Sequence, residues 1–176
     1  GGIWVGTWGG GLNKFDAKQQ GFERFQYDET NPYSITNNVI SSVYQDSRGA
    51  VWVGTNGGLN KYDAKTGQFS HYREKHGLAN DVVYNIGEDA QGQLWLSTNR
   101  GLSRFDPQSD KFRNYDADDG LQSNEFTAGA YFRSASGELF FGGINGFNRF
   151  FPENIKDKQQ KTTVVLTDFL LFNQSV

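Results

Sequence analysis

One segment recurs four times along this 176-residue chain, and the period of that recurrence constrains the fold more than any other feature. Its clearest copy runs from Val51 to Asp63, Val-Trp-Val-Gly-Thr-Asn-Gly-Gly-Leu-Asn-Lys-Tyr-Asp. Val51, Trp52 and Val53 favour extended backbone. Asn56-Gly57 is a two-residue turn signal with φ > 0 expected at both positions. Leu59 to Tyr62 then resumes an apolar–polar alternation, so the segment reads as one tight β-hairpin. Related hairpins open at Ile3-Trp4-Val5, Leu94-Trp95-Leu96 and Leu139-Phe140-Phe141. The anchoring aromatics Trp4, Trp52, Trp95 and Phe140 are spaced 48, 43 and 45 residues apart.

The intervening sequence repeats as well. Each of the first three hairpins is followed by a short strand (Phe22–Tyr27, Phe69–Tyr72, Phe112–Tyr115) and then by a loop. A further strand (Val39–Tyr44, Val82–Glu88, Phe126–Arg133) leads through a tight turn to the next hairpin. Asp46-Ser-Arg-Gly49 and Asp89-Ala-Gln-Gly92 carry Asp and Gly where a type I turn wants them, and Ser134-Ala-Ser-Gly137 takes the same place. Four antiparallel strands per ~40–50 residues is the blade arithmetic of a β-propeller, a unit that must stack on its neighbours to bury both faces. The expected fold class is all-β, a propeller fragment of about four blades. The first blade lacks its inner strand and the fourth its outer strand. No helical run with caps competes.

Composition agrees where it matters. Aromatics reach 15% with 22 glycines, a mix suited to short strands, tight turns and flat side chains between sheets. The net charge of −3, with both signs scattered, leaves no basic patch and excludes nucleic acid as a partner. Cysteine is absent, which excludes disulfides and thiolate chemistry. Within the given residues no apolar run reaches the ~20 residues of a membrane helix, and none is expected to act as a signal peptide. The chain has no methionine and opens on Gly1-Gly2 inside a repeat, so it is expected to be a piece of a longer protein.

Chemistry-bearing residues are mostly in repeat phase. Asp16, Asp63 and Asp106 share one position and Asp46 and Asp89 another, where turn geometry accounts for them. Trp4, Trp52 and Trp95 share a phase expected to pack blade on blade. His71 and His76 are the two histidines; His71 is expected to face solvent, and no metal site or cofactor is assigned. The hairpin tips escape the repeat. Trp8, Asn56, Arg100 and Asn145 differ from a bare glycine turn, and blade geometry places them on the face of the inter-blade loops that hold Tyr33 and His76. Those six residues are the candidate ligand-binding set, offering stacking, hydrogen bonds and a charge-assisted pair. No catalytic residue is assigned.

Asp46 to Tyr72, with Asp-x-x-Gly-x-x-Trp-x-Gly-Thr-x-x-Gly-Leu-x-x-Tyr-Asp and a following Phe-x-x-Tyr, resembles the two-component regulator propeller repeat. Gly143 to Ile155 is similar to the last blade of that family, and Val164 to Asn173 to the first strand of the immunoglobulin-like domain that follows it. The resemblance implies a partial propeller over 1–155, with repeats near 1–33, 34–77, 78–120 and 121–155. A linker over 156–161 and a strand of the next domain over 162–176 would follow. It also implies a periplasmic ligand-sensing module, binding a small molecule or glycan, in an inner-membrane protein whose kinase or cyclase output lies elsewhere. The partners implied are the ligand, the rest of the sensor and, through open blade edges, a second copy or the strand at Thr162–Phe172. The alternatives are a propeller glycosidase or lyase fragment, or a protein-interaction scaffold.

Overall fold

The computed structural model describes residues 2–155, with the backbone of 170–171 and 174–175 beyond them. The linker at 156–161 and most of the strand expected over Thr162–Phe172 lie outside the described residues; Leu170–Leu171 pairs antiparallel with Gln174–Ser175. Four sheets follow in chain order. The first holds β1 (Trp4–Gly6), β2 (Leu12–Asp16) and β3 (Gly21–Phe25). The second holds β4 (Ile40–Gln45), β5 (Val51–Thr55), β6 (Gly58–Asp63) and β7 (Gln68–Tyr72). The third holds β8 (Val83–Glu88), β9 (Leu94–Thr98), β10 (Gly101–Asp106) and β11 (Lys111–Tyr115). The fourth holds β12 (Phe126–Arg133), β13 (Leu139–Gly143) and β14 (Gly146–Phe150). All neighbours pair antiparallel in simple meanders. The described residues contain no α-helix, only three-residue 3-10 turns such as Glu74–His76 and Ala117–Asp119. Among the described residues the first sheet lacks an inner strand and the fourth an outer strand, in keeping with the repeat phase.

Strand alternation makes the blades stack. Val51 and Val53 point to one face of β5 and join Leu12, Ile35 and Ile40 in a core between the first two blades. Trp52, between them, points to the other face and packs with Leu78, Val83, Leu94 and Phe105 of the third blade. The third blade repeats the pattern: Leu94 and Leu96 look back, and Trp95 looks forward to Leu139 and Phe141. Trp52 meets the Phe105 ring edge-on at 5.7 Å, and Trp95 stands 4.8 Å from Phe150. Both indoles are fully buried at equivalent positions. Truncating either to alanine costs about 3–5 kcal/mol. The first-blade equivalent, Trp4, packs on Tyr62 of the second blade at 5.0 Å.

The turn chemistry differs from expectation at one place. Neither Asn56 nor Gly57 has positive φ; Gly58 carries it, at +123°. The hairpin is therefore a two-residue turn in ordinary backbone followed by a left-handed glycine, the bulged form rather than the mirror-image one. Gly101 (+89°) and Gly146 (+111°) repeat it. Arg100, at the position of Gly57, thus occupies backbone open to any residue, and its N–H donates to Thr98 Oγ1 at 2.9 Å as Gly57 N–H does to Thr55 Oγ1 at 3.0 Å.

Candidate functional site

The two ends of the blades are built for different purposes. At one end lie the aspartate turns. Asp46 is buried, accepts the N–H groups of Arg48 and Ala50 on Oδ1, and takes the Trp52 indole N–H on Oδ2 at 2.8 Å. Asp89 does the same for Gln91, Gln93 and Trp95. Glu88, also buried, accepts the backbone and hydroxyl of Ser47 and the Tyr44 hydroxyl, tying the third blade to the turn of the second. Asp63 and Asp106 sit on the outer turns, where the backbone N–H groups of Lys65 and Gln108 hold both carboxyls below the usual range. These carboxylates are saturated with local donors. None is poised to move a proton to a substrate.

At the other end the hairpin tips meet the inter-blade loops. Gly9 and Gly11 donate to the Asn38 carbonyl, Asn56 N–H to the Val39 carbonyl, Gly101 to Asn124, and Asn145 N–H to Gln122 Oε1. A second set of clamps recurs once per blade. Asn38, Asp81 and Asn124 each accept the second loop N–H after an outer strand, from Tyr27, Glu74 and Ala117. These bonds fix the loop backbone against the strand ends.

The six candidate residues divide. Tyr33 and His76 line one cleft of about 520 Å³ between the first and second inter-blade loops. Arg100 lines the next, about 470 Å³, with Glu74, Asn114 and Asp116. Trp8, 80% exposed, and the exposed Asn56 and Asn145 stand at tips outside both clefts. The structure therefore brings together Tyr33 with His76 and no larger part of the set. Asn80, on the same loops, is engaged locally: Oδ1 accepts from Val82 N–H and Nδ2 donates to Glu74.

His71 does not face solvent. It is half-buried in the first cleft, and its Nε2 donates to the Ser34 carbonyl at 2.7 Å. Burial, with Arg73, His76 and Lys75 nearby, holds its pKa below the ordinary histidine value. The sequence reading misjudged it because outer-strand alternation assumes an uncovered edge, and the preceding loop covers this one. His76 takes the Arg73 N–H on Nδ1 at 3.0 Å. No cluster of three or more metal-ligating side chains occurs among the described residues.

Other lining residues were missed, among them Tyr27, Glu29, Asn31, Arg73 and Lys75. Their signal is a break in the repeat. Nine residues separate Phe25 from Ile35, whereas five separate Tyr72 from Leu78 and Tyr115 from Leu121. The four extra residues fall in the wall that carries Tyr33.

Consecutive four-stranded meanders stacked face to face through buried tryptophans define a β-propeller. The two component regulator propeller family matches residues 34–57 and 77–100, the lead-in loop and first two strands of the two complete blades as far as the hairpin tip. The chain thus carries two copies of that family's repeat. Over 87% of its length it superposes on the extracellular domain of a hybrid two component system from B. thetaiotaomicron, with a TM-score of 0.77 and 29% identity. It is 33% identical over 58 residues to histidine kinase P4 of Formosa agariphila. Virginiamycin B lyase from Staphylococcus aureus, at 14% identity over 87% of the chain and a TM-score of 0.63, shares the fold. The chain spans 20% of the B. thetaiotaomicron domain, 4% of the Formosa kinase and 50% of the lyase.

Proposed function

We propose that this chain is part of the ligand-sensing, extracytoplasmic module of a membrane-bound signal-transduction protein. It binds a small molecule or glycan on the face of the hairpin tips and inter-blade loops and catalyses no reaction. In a Gram-negative cell that places it in the periplasm. The observation that carries the reading is the likeness to the extracellular domain of a hybrid two component system, which extends over 87% of the chain at 29% identity. The disposition of titratable groups supports it. The repeat-phase carboxylates are consumed by turns and indoles, and the residues that vary from blade to blade gather on one face. The lyase likeness, at 14% identity, speaks to the fold alone.

The test uses the full-length protein. Its extracytoplasmic region is incubated with a panel of glycan polymers and their oligosaccharides, with binding followed by thermal shift and products by chromatography. Binding without turnover, together with a change in output activity on ligand addition, is the expected result. Turnover of any glycan sinks the sensor reading.

A further inference from the structure

Two departures from the repeat converge on the first cleft. One is the four-residue lengthening of the loop between Phe25 and Ile35, which carries Asn31 and Tyr33 into the cleft wall. This loop is firmly held. Ser34 Oγ accepts the Asp28 N–H and donates to the Asp28 carbonyl, both at 3.0 Å, and the Tyr33 carbonyl takes the Phe69 N–H of β7 at 2.9 Å. It presents Tyr27 and Tyr33 at 48% and 55% exposure.

The other departure is charge. The 3-10 turns after the second and third blades share one backbone design, each closed by the side chain at its third position and a left-handed glycine. Yet the first reads Arg73-Glu74-Lys75-His76 and the second Asp116-Ala117-Asp118-Asp119. The scaffold therefore dictates neither sign, and the basic version faces the tyrosine loop. Inside the cleft, burial first and then Arg73, His76 and Lys75 disfavour the charged form of His71. At the opposite wall Asp28 is occupied, since its Oδ1 takes the Thr30 N–H and hydroxyl, and Glu29 stands beside it.

From this juxtaposition we propose that the cleft between the 28–33 loop and the 73–76 turn recognises an acidic sugar. Arg73, Lys75 and His76 hold its anionic substituent, and Tyr27 and Tyr33 offer their rings to the sugar face. Glu29 accepts hydrogen bonds from its hydroxyls and the Asn31 amide donates to them. A volume of about 520 Å³ suits one or two pyranose rings. Tyrosine supplies flat apolar area with a polar rim, and a guanidinium binds an oxyanion through paired donors. The inference rests on the sensor reading and narrows its ligand.

The test measures binding to the full-length protein by calorimetry with three probes: a galacturonic acid trisaccharide, the neutral galactose trisaccharide, and a heparin-derived sulfated tetrasaccharide. At least one acidic probe is expected to bind about tenfold or more tighter than the neutral one at low salt, a gap that narrows as salt is raised. Arg73→Glu with Lys75→Glu removes that preference. Tyr33→Ala weakens every saccharide that binds. Arg73→Gln with Lys75→Gln serves as the milder pair, with folding of each variant checked by thermal midpoint. Whether the carboxylate or the sulfate probe wins identifies the anion. Equal binding of neutral and acidic probes, an acidic preference that survives both charge changes, or no binding by any probe overturns the proposal. In those cases the sensor reading stands; it falls only if a probe is turned over.

Discussion

The carboxylate of Asp46 accepts the indole N–H of Trp52 at 2.8 Å, and one blade later Asp89 holds Trp95 at 2.9 Å. In the fourth blade both members change together: Ser134 stands for the aspartate and Phe140 for the tryptophan. Ser134 Oγ still accepts the Glu138 N–H at 3.0 Å, the bond that Asp46 makes to Ala50, but a phenyl ring has no donor for a second oxygen to receive. The aspartate is thus present where an indole needs it.

The coupling is measurable as a double-mutant cycle in the second blade. Asp46→Ser leaves a buried indole N–H without its acceptor and is expected to destabilise by about 1–3 kcal/mol. Trp52→Phe leaves a buried carboxylate oxygen unpartnered and removes ring area besides. The double variant, which copies the fourth blade, should be more stable than the sum of the singles by about 1 kcal/mol in denaturant unfolding. Strict additivity would show that the pair is incidental.

The hairpin tips give a second expectation. Gly58 has φ of +123°, and a Cβ there would come within 2.6 Å of the Tyr72 carbonyl oxygen. Gly58→Ala should therefore cost more than the ~1 kcal/mol of an ordinary glycine replacement at positive φ. Arg100→Gly, at ordinary φ on the exposed tip, should move stability by no more than about 0.5 kcal/mol. Thermal midpoints of the two variants check the contrast; a large loss for Arg100→Gly would mean its side chain braces the blade.

Much of this architecture was legible in the sequence because the repeat states its geometry four times. The blade count, the incomplete sheets at either end and the burial of Trp52 and Trp95 all follow from alternation and period. What was illegible depended on neighbours. Asn56-Gly57 looks like a mirror-image turn until the paired strands place the left-handed residue at Gly58. His71 looks solvent-facing because nothing local announces that the Ser34 carbonyl will lie over it. The candidate site split for the same reason: Tyr33 and His76 meet through a loop insertion, whereas Trp8, Asn56 and Asn145 stand at tips outside that cleft.

His71 also sets a pH dependence. Burial first, then the charges of Arg73, His76 and Lys75, lower its pKa in the folded protein relative to the ordinary value of 6.5. Around and below that value the unfolded chain binds more protons at this site than the folded one, so stability rises with pH there and is lost as the solution is acidified through 6.5. Asn114, the equivalent in the third blade, makes the same bond with an amide that does not titrate, from Nδ2 to the Gly77 carbonyl at 3.0 Å. His71→Asn should flatten the fall in thermal midpoint between about pH 7 and pH 5.5. An unchanged slope would place the titrating group elsewhere.

The same two positions belong to a larger exchange. Asn60 lies opposite His71 across β6 and β7, and Ser103 lies opposite Asn114 across β10 and β11. In the second blade the long amide of Asn60 works alone: Oδ1 accepts the buried Thr36 N–H at 3.0 Å and Nδ2 reaches the Thr36 hydroxyl at 2.9 Å. In the third, the shorter Ser103 accepts the Ala79 N–H at 3.0 Å and is steadied by donating to Asn114 Oδ1 at 2.7 Å. A serine at 60 facing His71 would find only the bare Nδ1 of a ring whose Nε2 is tied to Ser34, where Ser103 finds the amide oxygen of Asn114. Asn60→Ser alone should therefore cost about 1–3 kcal/mol, the range for stranding a buried polar group. Adding His71→Asn should restore about 1 kcal/mol, as coupled neighbours do. Hydrogen exchange at the Thr36 amide reads the effect directly, with protection lost in the single variant and partly regained in the double; equal exchange in both would show that the two blades hold their loops by unrelated means.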